Sequence, residues 1–218
     1  MKTHVPYVSW RRFGGASRLA RMAGLMVLTS VATVRCHAAF DMFFQLVQED
    51  GTPPQGESMD QTYKGSDGWS ELRSFSLGVT NNVHIGSATS GGDQGKASFQ
   101  DFTIQKLVDS MSPKIFRALA TGVHFKTASL VVRKAGGGGT GESQPVFLQF
   151  DFKIVYAASQ NWSGSAGDDS PFENVTFKLG LVQVTYTPPG TKGAPGTPII
   201  QAWDQLHNRD DFTDPNGG

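Results

Sequence analysis

From Val146 to Tyr156 the chain keeps a period of two. Val146, Leu148, Phe150, Phe152, Ile154 and Tyr156 put apolar side chains at every even position, with Gln149, Asp151 and Lys153 among those between. That period belongs to a strand and not to a helix. Phe40, Met42, Phe44 and Leu46 repeat it near the start, and Phe75, Leu77 and Val79 follow. Ala128, Leu130 and Val132 give another strand, and Ile199–Trp203 a last short one. In two places the phase slips. Ala97 and Phe99 are odd while Phe102 and Ile104 are even, so a β-bulge at Gln100-Asp101 is expected to return all four to one side. Val175, Phe177 and Leu179 are odd while Val182, Val184 and Tyr186 are even. Gly180-Leu181 is therefore expected to bend one long strand around a corner.

One segment is helical. Ser112 suits an N-cap, Pro113 the first helical position, and Gly122 a left-handed stop. Met111 and Phe116 stand at hydrophobic-staple spacing, and Ile115, Phe116 and Leu119 form one apolar stripe. A helix of two to three turns needs a larger surface to lie on. Polar, glycine- or proline-rich loops separate the strands: 50–68, 80–95, 136–139, 159–171 and 188–198. The reading is a mainly β fold, an antiparallel two-sheet β-barrel or sandwich, with one short flanking α-helix at about 112–121. No internal repeat or second core is visible. Residues 1–39 read as a leader, 40–205 as one β-barrel domain, and 206–218 as a flexible C-terminal tail.

Charge supports the division. The chain has 19 basic and 19 acidic residues, which gives no field to attract nucleic acid. Before Phe40 there are Lys2, Arg11, Arg12, Arg18, Arg21 and Arg35 and no acid, so the remainder is net acidic. Met22–Val34 is an apolar run short of a membrane span, and small residues follow it near Ala38-Ala39. An export signal cut near Ala39 is expected, with no stable membrane insertion afterwards. Cys36, the single cysteine, lies in that leader, so the mature chain has no thiol for a disulfide, a nucleophile or a metal.

The motifs of catalysis are missing. Ser90–Ala97 resembles a phosphate loop only in its glycines, because Ser90 and Ala97 replace the first glycine and the final hydroxyl. His84, His124 and His207 have no metal-binding spacing, and His124 suits the helix C-terminus. Asp168-Asp169 reads as a solvated turn, and no Gly-x-Ser-x-Gly elbow occurs. Trp162, in a polar loop, is either a stacking platform or a loop anchor. No catalytic, cofactor-binding or metal-binding residue is assigned, and no cofactor is expected.

Gly95-Lys96, Gln100-Asp101, Lys106, Asp109, Ser112-Pro113, Gly122, His124 and the run Val132–Gly137 occur together in order. Asp41-Met42-Phe43, Glu173–Phe177 and Val182–Tyr186 flank them. In these features the chain resembles the haemolysin-coregulated protein (Hcp) family, tube proteins of bacterial type VI secretion. The resemblance implies a two-sheet β-barrel with a helix at its flank and no catalytic residue. It implies homohexameric rings stacked into a hollow, secreted tube. The implied partners are further copies of the chain, the spike protein and sheath of the machine, and small effector proteins carried inside. The segment 80–95 resembles the family's projecting loop to an adjacent ring. Two departures stand out: the leader, which the core family lacks, and a glycine-expanded loop at 136–144. The alternative reading is an exported Hcp-like binding module that forms no tube. Candidate subunit-interface residues are Phe43 and Val47 on the second face of the first strand, Phe147 and Val155 on the second face of the central one, and Asn82, His84 and Ile85 in the projecting loop.

Overall fold

The computed structural model describes residues 40–81, 96–134, 144–191 and 194–213, within one compact unit, His37–Gly218. The expected leader, Asn82, His84, Ile85 and the glycine run at 136–139 lie outside the described residues. The strands are β1 (Phe40–Val47), β2 (Trp69–Ser76), β3 (Val79–Asn81), β4 (Ala97–Phe99) and β5 (Phe102–Leu107). After helix α1 (Ser112–Thr121) come β6 (Phe125–Lys134), β7 (Val146–Ser163), β8 (Phe172–Tyr186) and β9 (Ile199–Asp204). The order β5-β2-β1-β6-β7-β8 closes on itself because β5 also pairs with β8, so six strands make a barrel. Every pairing is antiparallel. Closure leaves these strands no free edge where they pair. β8 pairs with β7 along one edge and shares its other edge between two strands: Phe172–Phe177 pairs with β5, and Leu181–Tyr186 pairs with β9.

The even positions of β1 fill the barrel as their period requires. Phe44 and Leu46 are fully buried, and Phe44 packs on Phe102 and Phe177 at centroid separations of 5.9 and 5.6 Å. Phe102 meets Phe152 at 4.8 Å. Burying each such ring contributes about 1.5–3 kcal/mol, so this four-ring centre dominates the core.

The two phase slips resolve differently. At Gln100-Asp101 there is a break and not the expected bulge. β4 leaves the barrel to pair with β3 in a separate two-stranded sheet, and β5 begins afresh at Phe102. At Gly180 the expected change of face occurs within continuous β8: Leu179 faces the core below it and Val182 above it. β7 turns with it. Ile154 there has φ 55°, a left-handed conformation rare for a β-branched residue. A Cβ on Gly180 would lie 2.9 Å from the Ile154 Cβ, so glycine supplies the room. The kink reverses the inward parity of β7, from Phe152 to Val155. Val155, expected on the second face, is fully buried in the core for this reason.

β7 runs on to Ser163, so Trp162 lies on a strand and not in the expected loop. The helix spans the expected residues, but its start differs. Met111 is the capping residue, and the Ser112 hydroxyl accepts the Asp109 N–H at 3.0 Å, not one from the helix. No staple forms: Met111 is buried, while Phe116 is 52% exposed and packs on Trp162 at 5.9 Å. Ile115 alone of the expected stripe is fully buried. Gly122 ends the helix at φ 71° as expected.

Candidate assembly surface

A charged cluster fixes the helix against the barrel. Lys106 lies at an inward position of β5 beside Phe102 and Ile104, and its register partner is Glu173 on β8. Both side chains are fully buried. The Lys106 ammonium meets Glu173 Oε1 at 2.8 Å and also pairs with Asp109. The Ser112 hydroxyl donates to Glu173 Oε1 at 2.8 Å. The Gln160 amide and the Trp162 indole N–H donate to Glu173 Oε2 at 2.7 and 2.9 Å. Ser70 on β2 donates to Asp109. A buried ion pair is tolerated only when its remaining hydrogen-bonding capacity is filled, and here α1, β7, β2 and the Asp109 turn fill it. The cluster holds α1 in place with its ammonium and both carboxylates paired, although Gln160 Oε1 is buried without a partner. The readable signal was a lysine and a glutamate at inward parity in two apolar strands.

A second cluster covers the far face of β1. Phe43, a candidate interface residue, is buried beneath Tyr63, whose ring stacks on it at 4.8 Å. The Arg133 guanidinium lies 4.7 Å from the Phe43 ring centre, contacts Asp41 at 3.3 Å and pairs with Asp60. Burial pushes the Asp60 carboxyl up, but the Arg133 hydrogen bond and the Tyr63 and Thr62 amides outweigh it and hold the group below its usual value. Burial pulls Arg133 down, and hydrogen bonds and charge from Asp60 and Asp41 raise it overall. The segment between β1 and β2 is thus bonded over Phe43, which sequence parity does not reveal. Val47 remains half-buried opposite Thr127.

Phe147 is half-buried at the barrel end. It lines a cleft of about 290 Å³ with Val146, Tyr186, Pro188 and Pro195. Tyr186, 43% exposed, pairs with Ile199 of β9, and Ile199 and Ile200 are 56% and 54% exposed. β9 pairs with β8 on one side, and no described strand pairs with the other. From Ile199 to Trp203 the edge carries no charge. Solitary soluble proteins usually protect such an edge with lysine, proline or a bulge. Sequence reading missed this edge, although consecutive isoleucines in a terminal strand were a usable sign.

His124 lies just past the helix end, where it was expected, and its Nε2 meets Glu49 Oε1 at 2.9 Å. The expected turn at Asp168 is present, closed by its side chain on the Ser165 N–H at 3.0 Å. Among the described residues no group of three His, Cys, Asp or Glu side chains could hold a metal. None of their helices is long and apolar enough to cross a membrane.

Fold and surface define a closed antiparallel barrel with one flanking helix, a packed interior and an appended open edge strand. The profile of the family described as "Type VI secretion system effector, Hcp" matches residues 46–186, and the chain belongs to this family. It is 36% identical over 114 residues to protein hcp1 of Pseudomonas aeruginosa, covering 52% of this chain and 68% of that protein. It is similar to a solved type six secretion system protein, with 28% identity and a TM-score of 0.68, over 79% of this chain and all of that one. It is also similar to Hcp1 from Salmonella typhimurium, with 26% identity and a TM-score of 0.61, over 80% of this chain and all of that one.

Proposed function

We propose that this chain is a tube subunit of a type VI secretion system. Copies close into homohexameric rings, the rings stack into a hollow tube, and the tube is secreted. Membership of the Hcp family carries this reading, since the family profile spans most of the barrel. Sheath and spike proteins are the partners that drive and tip the tube, and small effectors are its cargo. The role is structural, not enzymatic. The uncharged outer edge of β9, with Ile199, Ile200 and Tyr186, is the surface offered for ring closure. Its apolar groups, and a backbone edge that no described strand pairs, suit burial against another copy better than exposure. Phe147, in the cleft beside Tyr186, borders that association. Val47 lies on β1 with β6, β7 and β8 between it and β9, and Phe43 and Val155 are buried within the protomer.

Secretion gives the test in the native cell. The chain is expected in the culture medium when the contractile sheath is present and only inside cells when the sheath gene is deleted. Equal release in both strains, combined with cleavage near Ala39, would replace the tube with the exported binding module.

A further inference from the structure

β3 and β4 pair only with each other among the described residues. A lone two-stranded hairpin is marginal in water, so other contacts must hold this one. The Gln100 N–H closes its base on the Gly78 carbonyl at 2.8 Å. Two further ties reach the rest of the molecule. The Phe99 ring packs against the core, and the Phe99 N–H donates to Gln205 Oε1 at 2.8 Å. Gln205 belongs to the turn that follows β9, distant from Phe99 in sequence.

That turn is itself held firmly. The Asp204 carboxylate is fully buried. Its Oδ1 accepts the Leu206 and His207 N–H groups at 2.9 and 3.1 Å. Its Oδ2 meets His207 Nδ1 at 2.6 Å and the Arg209 Nε–H at 3.3 Å. The Gln205 N–H donates to the Gly180 carbonyl at 3.1 Å, and the Asp204 and Arg209 backbones bond each other in both directions. Lys153 then donates to the Phe212 carbonyl at 2.8 Å and lies over its ring. A single buried carboxylate therefore shapes the turn that aims Gln205.

We propose that the C-terminal turn is a brace: Asp204 and Gln205 are positioning residues that fix the β3–β4 hairpin for contact with a second copy of this chain. All three residues of β3 are exposed, Val79 to 59%, and the strand is uncharged. The brace follows from these bonds alone, and its purpose between copies rests on the tube reading.

Hydrogen exchange on the full chain carrying Gln205→Leu tests the brace, and negative-stain microscopy tests its purpose. Loss of one acceptor should speed exchange at Phe99 and across β3–β4 by about tenfold. Exchange in β6–β8 should stay as in the parent. Gln205→Glu keeps an acceptor and should restore protection, and Asp204→Asn should act in the same direction as Gln205→Leu. Rings of Gln205→Leu should form normally while stacked tubes become fewer. Unchanged exchange at Phe99 and β3 in Gln205→Leu would overturn the brace. Faster exchange with undiminished tubes would overturn its purpose between copies. A parent chain that forms no ring contradicts the tube reading instead, and the exchange result alone then decides the brace.

Discussion

Replacing Lys106 with methionine would leave Glu173 and Asp109 without their cation in the interior. Breaking a buried pair in this way costs about 3–5 kcal/mol, and the urea midpoint of Lys106→Met should fall accordingly. An unchanged midpoint would mean that the cluster is hydrated and not structural. Asp204 gives a prediction in pH. Burial pushes its carboxyl up, but hydrogen bonds from the His207 ring and the His207 and Leu206 amides bring it below its usual value. Its contribution is therefore complete above the ordinary aspartate pKa of about 3.9 and is lost as pH falls through the lower folded value. Melting temperatures of the parent and Asp204→Asn should differ at pH 7 and converge below about pH 4. A constant gap down to pH 3 would remove Asp204 as the cause. Both residues show how far sequence carries. Inward parity in two apolar strands was a sign the sequence reading did not take up for Lys106 and Glu173, and only the β5–β8 register makes them partners. Asp204 has no local signal, because its role comes from a turn closed by His207 and Arg209.

At the scale of elements, periodicity was a reliable guide to strands and a poor one to their limits. The strands rich in alternation, β1, β6, β7 and β8, are present where the pattern puts them. The Gln100 slip is a chain break and the Gly180 slip a shared kink, and the one-dimensional pattern is alike in both cases. What separates them is the neighbour: Ile154 on β7 bends opposite Gly180, whereas β4 has left the barrel. The helix shows the same limit. Its propensity signals mark its ends, but only docking decides which apolar residues are buried. Ile115→Ala should therefore cost about 2–5 kcal/mol, and Phe116→Ala, at a half-exposed position, clearly less. Gly122→Val should destabilise by about 1–2 kcal/mol through its left-handed backbone, because a Cβ there meets nothing within 4 Å. Denaturation curves of the three variants rank these effects. Equal losses at Ile115 and Phe116 would place the stripe differently.

For the whole molecule, closure of the barrel and exposure of β9 belong together. Six strands satisfy one another, and the seventh lies outside with Ile199 and Ile200 both more than half exposed. A charge at Ile200 would remain solvated in a lone protomer but would be desolvated in a contact between copies. Ile200→Lys should therefore leave the melting temperature near that of the parent and abolish association. Native mass spectrometry of the purified parent chain and Ile200→Lys over a range of concentrations tests the tube reading most directly. The account predicts hexamers for the parent and monomers for the variant; monomers of the parent at every concentration would contradict it.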